Sequence, residues 1–241
     1  MTLLNGVIDL SHHNTVTSFA DIKGAGVLGV IHKATQGTSF VDANYDANRA
    51  GARAAGLLWG AYHFARKGDV AAQVTHFLSV AGAQSDELLV LDFEPNTTEG
   101  TMTLAEAEEF VGLVRERTGR FPGIYGGQSF LKETLGNGTT TPLKHCWLWI
   151  ARYSSQFPVV RTAWPAFTLW QYTDGNAGPQ PHQVSGVGRC DRDKFNGDEA
   201  ALRAFWSNGG AGAVLSATSM EAEPAVRTRA RGRKRAKSGG S

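Results

Sequence analysis

The chain is 241 residues long and 41% hydrophobic, with 24 Lys and Arg against 22 Asp and Glu, so it can bury one large core. Its opening ten residues carry no basic n-region and are broken by Asn5 and Asp9, and no later run reaches the ~20 apolar residues of a membrane-spanning helix, so no such span is expected and the protein reads as made in the cytoplasm without a signal peptide. Two cysteines, Cys146 and Cys190, are too few for a disulfide framework and lack the paired spacing of a structural zinc site; they read as packing residues, with a single bridge left open.

From the N-terminus onward, short β-rich runs alternate with helical patterns, as parallel strands joined by right-handed crossovers do. The pattern predicts strands over residues 6–10, 27–33, 58–64, 88–93, 123–125, 146–151, 167–172 and 188–191. Asp69 is placed to cap a helix whose Val70, Val74, Phe77, Leu78 and Ala81 form one apolar stripe. Thr103 and Glu106 have the spacing of a capping box, followed by Ala107, Phe110, Val111 and Val114 at helical intervals up to Gly119. Beyond residue 150 the stretches 152–166 and 174–187 are rich in Pro, Gly, Ser and Gln without helical period, so loops are expected there.

A last helix is expected from Asp198 to about Trp206. The fold class that follows is α/β: a single irregular (β/α) barrel of about eight strands over residues 1–208, with fewer helices around its second half. Residues 209–241 read as a disordered tail of Gly, Ala, Ser and Arg. Seven Lys and Arg lie within 227–241 with no acid among them, so the remaining 17 basic residues face 22 acids and the rest of the chain carries −5. Such a tail is either a solvated end or an anchor for anionic surfaces such as envelope phosphates or nucleic acid.

The strongest chemical signal is Leu88-Leu89-Val90-Leu91-Asp92-Phe93-Glu94-Pro95, an apolar strand ending in two carboxylates. Side chains alternate along a strand, so Asp92 and Glu94 share a face, and Pro95 stops the ladder just after them. In a β/α barrel that end of the strand carries the active site. Two adjacent carboxyls cannot titrate alike, and glycoside hydrolysis needs such a split: one group protonated to serve the leaving oxygen, others ionised to stabilise positive charge on the sugar. A solvated strand end would look the same in isolation. Asp9 in Val7-Ile8-Asp9-Leu10-Ser11-His12-His13-Asn14 and Asp191 with Asp193 in Arg189-Cys190-Asp191-Arg192-Asp193-Lys194-Phe195 repeat the design on other predicted strands, and clustered like charges are costly for stability alone.

Aromatic residues fall beside these acids: Tyr62, Tyr125, Trp147 with Trp149, Tyr153, and Trp170-Gln171-Tyr172. Singly each ring reads as core. As a set they suit a carbohydrate cleft, with rings stacked on sugar C–H faces and Tyr125, Tyr62, Trp149, Trp170 and Gln171 available to sugar hydroxyls. An alternative assigns His12, His13, His32 and His63 with Asp9, Asp92 and Glu94 to an N/O metal site, which would make a metal-dependent amino-sugar deacetylase. Adjacent histidines on a strand point to opposite faces, which weighs against it.

The ordered motifs G-V-I-D-L-S-H-H-N, A-Y-H-F-A, L-D-F-E-P, I-Y-G, W-I-A-R-Y, L-W-Q-Y-T and C-D-R-D-K-F resemble glycoside hydrolase family 25, the Chalaropsis-type lysozymes, over about residues 5–207. The resemblance implies hydrolysis of the β-1,4 bond between N-acetylmuramic acid and N-acetylglucosamine in bacterial peptidoglycan, by a monomer needing no metal or other cofactor and no nucleic acid. It implies Glu94 as acid/base, Asp92 as its partner, Asp9 and Asp191 as further catalytic acids, and Tyr62, Tyr125, Trp149, Trp170 and Gln171 as substrate contacts. Two positions depart from the pattern: Phe93 where Trp is common, and Asp193 where Asn is usual, which leaves open which late Asp matters. The implied chemistry is retaining, either by a carboxylate nucleophile or, as the i, i+2 spacing favours, through the substrate's own acetamido group. A sugar-binding relic of the fold is the non-enzymatic alternative. An enzyme of this kind without a leader is expected to be either a phage or prophage endolysin released through a membrane lesion or the cargo of a dedicated secretion system, acting on the wall after release.

Overall fold

Local signals set most helix boundaries. In the computed structural model, which describes residues 2–82, 84–136, 140–159 and 163–211, Asp69 and Thr103 cap their helices as the sequence predicts. Asp69 accepts from Ala72 N, and Thr103 and Glu106 complete a reciprocal capping box. The elements run β1 (Leu3–Leu10), α1 (Phe19–Gly24), β2 (Gly29–Gln36), β3 (Phe40–Val41), α2 (Tyr45–Ala54), β4 (Leu58–Phe64), α3 (Val70–Ala81) and β5 (Leu88–Asp92). They continue with α4 (Leu104–Thr118), β6 (Gly123–Gly127), α5 (Gln128–Leu135), a 3-10 turn (Pro142–His145), β7 (Leu148–Ala151), β8 (Leu169–Thr173), β9 (Gln183–Val184), β10 (Gly188–Arg189), β11 (Asp191–Asn196) and α6 (Glu199–Ser207). Residues 212–241, the greater part of the expected tail, lie outside the described residues.

Eight strands close into a barrel in the order β1-β11-β8-β7-β6-β5-β4-β2, with β2 returning to pair with β1. Seven are parallel to one another; β11 enters antiparallel to both β1 and β8. Here the structure corrects the predicted last strand at 188–191. Residues 188–189 belong to a small hairpin with β9, and the barrel strand begins at Asp191 and runs away from the rim to Asn196. Glycines at 186 and 188, both at positive φ, turn the chain before it can enter the barrel. Because β11 runs antiparallel, an acid at its start reaches the same rim as acids at the ends of its parallel neighbours.

Strand alternation divides the molecule into two apolar layers. Outward residues such as Ile8, Val30, Leu89, Leu91, Ile124 and Leu148 pack under the helices. Inward residues Val7, Ile31, Leu88, Val90, Leu169 and Phe195 fill the lower barrel, which α6 closes with Leu202, Phe205 and Trp206. Trp206 is fully buried and donates its indole N–H to the Trp59 carbonyl at 2.6 Å. A glycine is needed opposite it: a Cβ on Gly29 would lie 2.8 Å from the Trp206 ring. Cys146 and Cys190 are both free and buried, in agreement with a packing role.

Candidate active site

Above the apolar filling, the inward positions become polar. A cleft of about 260 Å³ opens at the C-terminal ends of the parallel strands, and Asp9, Ser11, His13, Tyr62, Asp92, Glu94, Tyr125, Trp149, Tyr153, Gln171 and Asp191 line it. A larger cavity of about 470 Å³ lies at the opposite end, beside Phe121, His145, Trp147 and Trp164, and among the described residues no carboxylate lines it. Size alone favours the second; convergent acids favour the first.

Each acid arrives by a different local route. Asp9 is the penultimate residue of β1 and stands directly across from Asp191 in the β1–β11 register. Asp92 ends β5, and the ladder extends one step further through Phe93 N to the Tyr125 carbonyl at 2.9 Å, which turns Phe93 into the outer core and Glu94 back to the cleft. Asp191 and Asp193 both point inward, but only Asp191 borders the cleft; Asp193 is completely buried one inward position below it.

A hydrogen-bonded floor joins these acids to the aromatic residues. Gln171 donates from Nε2 to Asp9 Oδ2 at 2.8 Å, and its Oε1 accepts from Tyr125 OH at 2.8 Å and Tyr153 OH at 3.1 Å. Trp149 donates to Asp193 Oδ1 at 2.6 Å while the Tyr125 ring meets it edge-on at 4.6 Å. Trp170 does not join this group. It immediately precedes the inward Gln171, so alternation sends it to the outer layer, where its N–H bonds the Arg152 carbonyl at 2.8 Å.

The sequence reading also passed over Lys33, an inward residue two positions after Ile31 on β2. Its ammonium donates to Gln36 Oε1 at 2.7 Å and sits 5.2 Å from the Phe40 ring and 4.9 Å from the Phe64 ring. Parity from Ile31 within the predicted strand over 27–33 already points it inward.

Burial drives the electrostatics. It raises the Asp92 carboxyl well above the ordinary carboxylate range, Glu94 adds to that by repulsion, and Lys33 opposes it. Burial likewise raises Glu94 against the pull of Lys33. Asp191 is pushed up to about 6 by burial and by Asp174, and Asp9 well up by burial, Asp191 and Asp193. Acids whose hold on a proton is strengthened by burial in this way can both give and take protons. Asp92 Oδ1 is buried and has no hydrogen-bond partner among the described residues.

The four histidines of the metal alternative are dispersed. His32 stacks on Trp59 in the outer layer and contacts Asn48 at 2.9 Å, His63 lies between Thr35 and Gln73, and His12 pairs with Asp42 at 2.8 Å. Only His13 reaches the cleft.

Residues 8–180 match the model of the glycosyl hydrolases family 25. Lysozyme M1 of Streptomyces globisporus is 32% identical over 215 residues, covering 83% of this chain and 71% of its own. The solved bacterial lysozyme from Streptomyces coelicolor superposes with a TM-score of 0.74 at 31% identity, over 86% of this chain and 99% of that one. A family GH25 lysozyme from Aspergillus fumigatus gives a TM-score of 0.72 at 32% identity, over 84% and 98% of the two chains.

Proposed function

The chain belongs to family 25 of the glycosyl hydrolases and is a peptidoglycan hydrolase of the lysozyme type, and on that footing we propose how its cleft cuts the glycan. The observation that carries the reading is the convergence of Asp9, Asp92, Glu94 and Asp191, from three strands, on one aromatic-lined cleft. The bond cut is the β-1,4 link from N-acetylmuramic acid to N-acetylglucosamine.

Glu94 is the general acid. Half-buried at the cleft and raised in pKa, it gives its proton to the glycosidic oxygen as the C–O bond breaks. Asp92 supplies the unoccupied acceptor Oδ1 on the same strand, suited to the N–H of the substrate's acetamido group. Held there, the acetamido oxygen attacks the anomeric carbon from the opposite face and forms an oxazolinium intermediate. Water then opens the intermediate, and Glu94 takes its proton. Asp9 and Asp191 stabilise the positive charge, while Tyr62, Tyr125, Trp149 and Gln171 position the sugars. Trp170 serves them only from behind, as packing.

The test is hydrolysis of purified peptidoglycan by wild type and Glu94→Gln, with mass spectrometry of the fragments and NMR of the first product. Reducing muramic acid ends from wild type, a loss of about 10²–10⁴ in the variant, and retained anomeric configuration are expected. Loss of acetyl groups from intact glycan would restore the deacetylase alternative, and inversion would remove substrate assistance.

The remaining readings concern context. We take residues 1–208 as the catalytic unit, monomeric in action, and 209–241 as a basic extension that favours anionic wall polymers through its seven cationic residues. Deleting 225–241 should weaken wall binding at low salt; equal binding would dismiss that role. The protein acts on the wall, and release by lysis in the manner of an endolysin is the delivery route we favour.

A further inference from the structure

Beneath the cleft, two acids that the mechanism above does not pair are in contact. Asp9 is almost wholly buried and Asp193 completely so, on adjacent strands with both side chains inward. Their carboxyls are within hydrogen-bonding reach of each other. The other sites on them are partly taken: Trp149 N–H satisfies Asp193 Oδ1, and Gln171 Nε2 satisfies Asp9 Oδ2. Asp193 Oδ2 meets no N–H or O–H donor among the described residues. Two carboxylates are both acceptors and cannot bond, whereas a carboxylic acid beside a carboxylate can, and with one donor it satisfies the orphaned oxygen.

We propose that Asp9 and Asp193 share a single proton, and that Asp193 is a positioning residue which, bonded to Asp9 through that proton, keeps the Asp9 carboxyl fixed toward the cleft.

The surroundings agree. Asp191 on β11 repels charge on both members, Tyr62 on β4, Tyr125 on β6 and Tyr153 after β7 all feel Asp9, and Cys190 feels both acids; none of these supplies a cation. Asp92 and Glu94 add further acid from β5. Among the described residues Arg192 is the cation set against the charge on Asp193, and its guanidinium is engaged with the Gln183 carbonyl and Asn5. Burial raises both acids, with burial the foremost cause in each. A second negative charge is therefore resisted, and when the shared proton leaves, Asp9 loses its anchor.

The experiment has an arm that does not depend on the muramidase reading. In protein carrying ¹³C-labelled Asp carboxyls, a side-chain resonance at its protonated position at pH 7 in wild type should be missing from Asp193→Asn. Every Asp carboxyl ionised at pH 7, or the same number of protonated Asp signals in wild type and Asp193→Asn, would overturn the proposal. The second arm is the pH profile of kcat/KM on peptidoglycan. Asparagine donates to Asp9 at any pH, so the alkaline limb of Asp193→Asn should move upward by about one pH unit or more, whereas Asp193→Leu, which has no donor, should lose at least about tenfold across the profile. An alkaline limb in the same place for wild type and Asp193→Asn overturns the proposal. If Asp193→Asn fails to fold, the wild-type carboxyl titration decides alone: two coupled carbons holding one proton at pH 7 support the pair, and two independent ionisations in the ordinary range reject it.

Discussion

The two ends of the barrel interior are built by the same strands and have opposite character. At the lower end Val7, Ile31, Leu88, Val90 and Phe195 meet Phe205 and Trp206 from α6 in an apolar plug. Two residues further along β1 and β5 the inward positions are Asp9 and Asp92, and across them on β11 stands Asp191. The lower end stabilises the fold, while the upper end stores repulsion and desolvation that the lower end must offset. Function therefore sits where the barrel is least content, and rigidity is supplied from the far end of the same strands.

That division can be tested by substitutions that act on one end only. Trp206→Ala should have the largest effect, about 3–5 kcal/mol of unfolding free energy from lost packing and a residual cavity, read as a lower urea midpoint. Molecules that remain folded should cleave at the wild-type rate; a rate that falls with stability would mean the ends are not separable. Asp92→Asn should do the reverse, lowering kcat by about 10²-fold, or about 2.7 kcal/mol of barrier, without lowering the urea midpoint, because a neutral amide replaces a buried acid that resists ionisation.

A pH effect comes next. The Asp191 pKa is raised from 3.8 to about 6 by burial first and Asp174 second. The folded state therefore binds this proton more tightly than the unfolded chain, so the stabilisation is complete below pH about 4 and is lost as pH rises through about 6. Between those limits wild type should lose on the order of 1–3 kcal/mol relative to Asp191→Asn, whose Tm curve should be flatter. Parallel curves would show that Asp191 titrates normally. Tyr125→Phe should be smallest, about 1 kcal/mol from the lost bond to Gln171, since Tyr153 still serves the same oxygen.

The upper end was easier to read from sequence than the lower. Leu88 to Pro95 states its own strand, its end and the shared face of its acids, because a two-residue period and a proline suffice. Capping at Asp69, Thr103 and Asp198 is equally local: the last of these accepts from Ala201 N at the start of α6. Long-range geometry was less visible. Trp170 and Gln171 are neighbours in one motif, and only the strand's register decides that Gln171 faces the cleft. The antiparallel entry of β11 depends on the glycine turns before it, so Asp191 and Asp193 looked like alternatives when they form two levels of one acidic column. Lys33 shares the face of Ile31 in the predicted strand, but a lone cation at a strand end carries no local signal that acids of a distant strand lie opposite it.

The position of β11 also orders events in time. It lies between β1, the first strand synthesised, and β8, so one edge of β1 has no partner until residues 191–196 have left the ribosome. The same short segment carries Asp191 to the rim and Asp193 beneath Asp9. A nascent or prematurely terminated chain thus lacks a closed barrel and a finished cleft together.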